Sequence, residues 1–139
     1  MLKSWPLRIS ALIAAPVIAV GLSTEASAHS GNTWVYLKNS SAPNGHSAAM
    51  VHVDDGDIFR VYDNYADGHG VRGYLEELRP EEGGFVRVHD SYNGKGYISY
   101  SEFRYDVKPN RQYQIRVCTV DGVEDSTPVK CSIRKDFTE

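Results

Sequence analysis

The chain has 139 residues and a formal charge of −3, with 15 Lys and Arg against 18 Asp and Glu. That length suits one domain around a single core. The mild acidity argues against a nucleic-acid partner, which needs a basic face to neutralise phosphates.

Chain order begins with an N-terminal leader pattern. Lys3 and Arg8 form a short positive segment, Ile9 to Leu22 an apolar run, and Ala26-Ser27-Ala28 a run of small residues. This is the layout of a secretory signal peptide cleaved after Ala28. An apolar helix of about fourteen residues spans roughly 21 Å, short of a hydrocarbon core of about 30 Å. The expected plan is therefore a leader over residues 1–28 and one domain over residues 29–139. The domain is expected to be secreted and extracellular, with no membrane span after cleavage. Its 111 residues carry 13 Lys and Arg against 17 Asp and Glu, a formal charge of −4.

Strand signals then recur every ten to fifteen residues, separated by Gly, Asn, Asp and Pro clusters. The predicted strands are Thr33–Lys38, Ala48–Val53, Asp57–Asp63, Val71–Glu77, Gly84–Asp90, Tyr97–Asp106, Gln112–Val120 and Val129–Lys135. Each is rich in Val, Ile, Tyr, Phe or Thr, which suit a pleated and half-buried surface. Helix-friendly residues run only from Tyr74 to Arg79, where Pro80 stops them. The expected fold is all-β: an immunoglobulin-like β-sandwich of about seven to eight strands with one disulfide. A small β-barrel is the alternative.

Cys118 and Cys131 both lie in the exported part, where an oxidising compartment favours their pairing. Placing them opposite each other in an antiparallel hairpin sets Val117 against Ser132 and Val120 against Val129. Asp121 to Pro128 then forms the connection, opened by the Asp121-Gly122 turn signal.

A short internal repeat follows from residues 59–65, Phe-Arg-Val-Tyr-Asp-Asn-Tyr, and residues 86–92, Val-Arg-Val-His-Asp-Ser-Tyr. Each copy runs into a glycine turn. Period-two alternation places Phe59, Val61, Val86 and Val88 inward, and Arg60, Tyr62, Arg87 and His89 outward. In one reading Asp63 and Asp90 simply open their turns by accepting backbone N–H groups. In the other, Tyr65 and Tyr92 cluster at one end of the sandwich as a recognition surface, with Arg60 and Arg87 as its basic residues. Asp63 to Gly68 matches a calcium loop at positions 1, 5 and 6, but Tyr65 and Tyr74 fall where oxygen ligands belong.

All five histidines lie after the predicted cut. Cleavage would give His29 a free α-amino group beside its imidazole, a nitrogen pair suited to Cu(II). His69, with Asp67 two residues before it, is the best partner. With Asp67-Gly68-His69 this resembles two families of exported copper-binding β-sandwich proteins, the periplasmic copper carriers and the lytic polysaccharide monooxygenases. The resemblance implies copper as the alternative cofactor, held by His29, His69 and Asp67; otherwise no cofactor is expected. A second set of residues covers more of the chain: Gly56-Asp57-Ile58-Phe59, Asp63 through Gly70, Arg116-Val117-Cys118 and Cys131-Ser132. It is similar to small secreted actinobacterial proteins that are thought to be β-sandwiches and have no settled activity.

Classical catalysis finds little footing. No GxSxG elbow or other placed nucleophile is present, and a disulfide would consume both thiols. Glu76-Glu77 and Glu81-Glu82 read as a solvated edge, since adjacent acids on a strand point to opposite faces. Nine tyrosines remain, more than a core of this size absorbs. Tyr offers a flat apolar ring with a polar tip, which suits recognition. The expected function is non-catalytic binding of a polysaccharide, a cell surface or another protein.

Overall fold

The computed structural model describes residues 31–139; the predicted leader and His29 lie outside the described residues. Among the described residues the strands are β1 (Thr33–Lys38), β2 (His46–Val53), β3 (Ile58–Asp63), β4 (Gly70–Arg79), β5 (Gly84–Asn93), β6 (Ser99–Arg104), β7 (Gln112–Val120), β8 (Lys130–Cys131) and β9 (Lys135–Thr138). They form two antiparallel sheets that do not close on each other, so the sandwich stands and the barrel falls away. The first sheet has the order β1-β2-β3-β6. The second has β5-β4-β7-β8, with β9 also paired to β7. The layering is as expected, while the strand order is this chain's own: β1-β2-β3 is a meander, where immunoglobulin domains interleave their strands differently. Among the described residues no helix is long and apolar enough to cross a membrane.

The reason for two layers is visible in single strands. In β1 burial alternates strictly, with Thr33, Val35 and Leu37 inside and Trp34, Tyr36 and Lys38 outside. In β3 the same alternation buries Phe59, Val61 and Asp63. Strands with one apolar face need a cover, and with no α-helix among the described residues a second sheet supplies it. The core joins Val35, Met50, Phe59 and Val61 of the first sheet to Val71, Leu75, Ile115 and Val117 of the second. Gly73 sets how closely β4 approaches: a Cβ there would stand 2.4 Å from Val61 Cγ2 and 2.8 Å from Met50 Sδ.

The disulfide joins Cys118 to Cys131 across an antiparallel pair, with Cα atoms 4.1 Å apart. Thr119 faces Lys130. Ser132 N–H donates to the Val117 carbonyl at 2.8 Å, and Val129 N–H to the Thr119 carbonyl at 2.9 Å. This is the hairpin register expected from the cysteines. The last predicted strand, Val129–Lys135, breaks into β8 and β9 instead. Ser132 Oγ accepts the Val117 N–H at 3.0 Å and donates to the Ile133 carbonyl, so a side chain substitutes for the ladder and Ile133 swings out.

Two further expectations need correction, at His89 and at Glu76-Glu77. His89 does not face outward: β5 bulges opposite Leu75/Glu76, and the extra residue turns His89 inward, 4.2 Å from the Phe103 ring centroid. The strand expected at Val71–Glu77 stands and runs on to Arg79, after which Pro80 opens a single 3₁₀ turn, Pro80–Glu82. Glu76 and Glu77 do point to opposite faces, yet neither is solvated. Glu76 accepts from Gln114 at 2.5 Å and lies near Arg116 and Arg134. Glu77 is clamped by Arg79 and Arg111. Burial pushes the Glu77 carboxyl up, but hydrogen bonds from Arg111 and Arg79 outweigh it and hold the group below the ordinary range.

Candidate functional site

Two crossings between the sheets lie side by side at one end of the sandwich. Asp63 ends β3 and the chain crosses to Gly70 of β4; Asn93 ends β5 and the chain crosses back to Ser99 of β6. Asp63 pairs with Ser99, and Val71 with Asn93, so the two loops start and finish next to each other. A cleft of about 360 Å³ opens between them, lined by Tyr65, His69, Tyr92, Tyr97 and Asp63 among others. Tyr65 and Tyr92, the two repeat tyrosines, both line it.

The chemistry of this cleft is mixed. Asp63 is buried, and its Oδ1 accepts the Tyr65 N–H at 3.2 Å. Burial chiefly, opposed by that hydrogen bond, raises its carboxyl above the ordinary range. Tyr92 is wedged between Gly70 and Gly94. A Cβ on either would come within about 2.5 Å of the Tyr92 ring, so both glycines are needed for the ring to lie there. Ile98, next to Tyr97, sits at φ 58°, a region β-branched residues rarely enter. Its N–H donates to the Asp63 carbonyl at 2.9 Å, which ties one loop to the other.

The second turn is not opened by Asp90. That carboxylate pairs with Arg72 at 2.5 Å, and β5 runs on to Asn93. Fully buried, Asn93 accepts the Lys95 N–H and the Ser99 hydroxyl, and donates to the carbonyls of Val61 and Ser99. Sequence reasoning passed over it; the one signal was an Asn directly before Gly94.

Arg60 and Arg87 are not part of the cleft. Arg60 stands on the outer face of the first sheet, 2.8 Å from Glu102 Oε2. Arg87 stands on the outer face of the second, its Cζ 4.4 Å from the centroid of the Tyr74 ring. The far side of that ring is taken by Arg116, at 4.8 Å.

Among known protein families, characterised proteins and solved structures, none matches this chain. Its function has to be read from its own residues.

The copper candidates are partly in view. His69 is half-exposed, with Nδ1 2.6 Å from Asp121 Oδ1. Asp67 Oδ1 accepts the His69 backbone N–H at 3.1 Å. His29 lies outside the described residues. Among the described residues no three His, Cys, Asp or Glu side chains are grouped to hold a metal ion.

A second surface was not foreseen. Trp34, Tyr36 and Tyr100 are exposed at 39%, 43% and 47% on the outer face of the first sheet. With Tyr62 they form a connected set of rings, because register brings them together. Tyr36 pairs with Ala49, Ala49 with Tyr62, and Tyr62 with Tyr100, one line across all four strands. Alternation in β1 hinted at Trp34 and Tyr36, but nothing local says that β6 lies beside β3.

Proposed function

We propose that this chain is an exported, non-catalytic binding protein whose ligand enters the cleft between Tyr65 and Tyr92. The convergence of these two tyrosines, one on the β3–β4 crossing and one at the end of β5, is the observation behind the reading. Aromatic walls with a few fixed polar groups are the ordinary make-up of a small-ligand site. The strained Ile98 supports it, since backbone strain gathers where structure is held for a purpose. Export rests on the leader pattern and on the likeness to small secreted actinobacterial proteins.

A backbone NMR screen of the folded protein against soluble oligosaccharides tests the site. Signals from Gly68 to Gly70 and Gly94 to Tyr97 are expected to move with the ligand. Tyr65→Ala and Tyr92→Ala are each expected to weaken binding by roughly tenfold while leaving the fold intact. A ligand that binds both variants as tightly as the wild type overturns the cleft.

One observation favours copper as a second reading. A ligating histidine usually gives its other ring nitrogen to a carboxylate, and His69 Nδ1 meets Asp121 in that way, which directs Nε2 outward as the free donor. His29 would complete the site with its amine and imidazole, and Asp67 would stand beside it. Placing one residue before His29 is then expected to abolish tight Cu(II) binding in calorimetry. Unchanged affinity refutes this reading.

A further inference from the structure

The aromatic set on the first sheet has a geometry of its own. Trp34 and Tyr36 lie 5.8 Å apart between centroids and within 4° of parallel. Trp34 and Tyr62 lie 5.9 Å apart at 26°, and Tyr62 meets Tyr100 at 5.4 Å with a tilt of 43°. Near-parallel rings at these separations are offset rather than eclipsed. An offset stack covers only part of each ring and leaves the remainder open, in keeping with the exposures of Trp34, Tyr36 and Tyr100. Beneath them Ala49 and Val51 are buried, so the rings stand on a firm floor.

Charge narrows the partner. The charged pair within this face, Arg60 with Glu102, is 2.8 Å apart and cancels itself, while Arg60 also caps the Tyr100 ring at 5.6 Å. Lys38 follows Tyr36 by two residues on the same face, His46 meets the Tyr36 ring at 4.9 Å, and Lys95 Nζ donates to the Tyr100 carbonyl at 3.1 Å, so basic groups stand at the two ends of the ring line. A cationic polymer is therefore repelled at both ends, while between them the line offers only indole and phenol groups, which suit an uncharged chain. Size narrows it further. Four strands spaced about 4.8 Å apart and about six residues long give a face of roughly 400 Å². A stable protein interface needs about 800 Å² from each partner, so a second copy of this chain is poorly served.

We propose that this face binds a neutral polysaccharide chain, laid along the Tyr36–Tyr62–Tyr100 line. Sugar rings present apolar C–H faces, which settle against the open parts of the aromatic rings. Their equatorial hydroxyls reach the phenol groups at the ring tips. This surface is separate from the Tyr65–Tyr92 cleft and adds a polymer-binding face to the binding reading.

The test is co-sedimentation of the full exported chain with insoluble cellulose, chitin and β-1,3-glucan, alongside gel retardation in soluble starch. Retention on at least one of these is expected, and it should persist from about 0.05 to about 0.5 M salt, because no ion pair carries it. Trp34→Ala and Tyr36→Ser are each expected to weaken retention by roughly tenfold, with the melting temperature and the disulfide unchanged. Failure to bind all four polymers overturns the proposal, as does retention that vanishes with salt. Retention lost in Tyr65→Ala but kept in Trp34→Ala also overturns it, and assigns the glycan to the cleft. Retention lost only in Trp34→Ala and Tyr36→Ser supports the face and leaves the cleft without that ligand.

Discussion

Replacing Cys118 and Cys131 with serine is expected to lower stability by about 3 kcal/mol, the chain-entropy value for a closed loop of about fourteen residues. For a domain of this size the loss corresponds to a fall of roughly 10–20 °C in melting temperature. The structure says where the damage concentrates. β8 is two residues long and pairs only with β7 through Cys118–Cys131 and Thr119–Lys130. Without the bond nothing else of comparable strength holds that strand. β9 is independent, since Gln112 to Ile115 pair with Lys135 to Thr138 and Phe137 enters the core. Hydrogen exchange should therefore speed up at Val129 and Ser132 while remaining slow across β9. Urea unfolding with and without reductant measures the total. A difference below about 0.5 kcal/mol would show that the staple is ornamental.

The second large effect is expected at Asn93. Its fully buried amide donates to Val61 and Ser99 carbonyls and accepts from Lys95 and the Ser99 hydroxyl, all within 3.2 Å. It stitches β5 of the second sheet to β3 and β6 of the first. Asn93→Ala leaves the buried Val61 carbonyl and three part-buried groups without their partner, and a buried group left unpaired costs about 1–3 kcal/mol, so a total near 3 kcal/mol is expected. Asn93→Asp is the sharper variant. It keeps the shape but turns a donor into an acceptor facing two carbonyls, and it should be at least as damaging as alanine at neutral pH. Tyr97 and the cleft wall ride on the loop that Asn93 anchors, so ligand binding should fall with stability. Thermal melts of both variants check this; an Asn93→Asp protein within about 0.5 kcal/mol of wild type would sink it.

Much of the fold was legible because its signals are local. β1 and β7 begin and end where alternation and turn residues place them, at Thr33–Lys38 and Gln112–Val120. The hairpin register followed from a covalent constraint, which transmits long-range information through two residues. Tyr65 and Tyr92 were legible through the repeat, although the repeat itself is only partly structural. Arg60 and Arg87 share a sequence pattern but sit on opposite sheets, and the bulge in β5 turns His89 the other way. A one-residue insertion in a strand leaves no mark on composition, yet it reverses every side chain beyond it.

By itself the sequence determined an all-β chain, the positions of most strands, and a disulfide with its register. Period-two alternation, turn chemistry and a covalent bond are properties of short stretches, and they survive without knowledge of neighbours. Tertiary structure alone decided which strands lie side by side. Alternation says which face a residue occupies, never which residue stands beside it on the next strand, because that depends on pairings between segments far apart in the chain. The cleft at Tyr65 and Tyr92 needed two crossings to meet at one end. The ring line of Tyr36, Tyr62 and Tyr100 needed β6 to settle against β3.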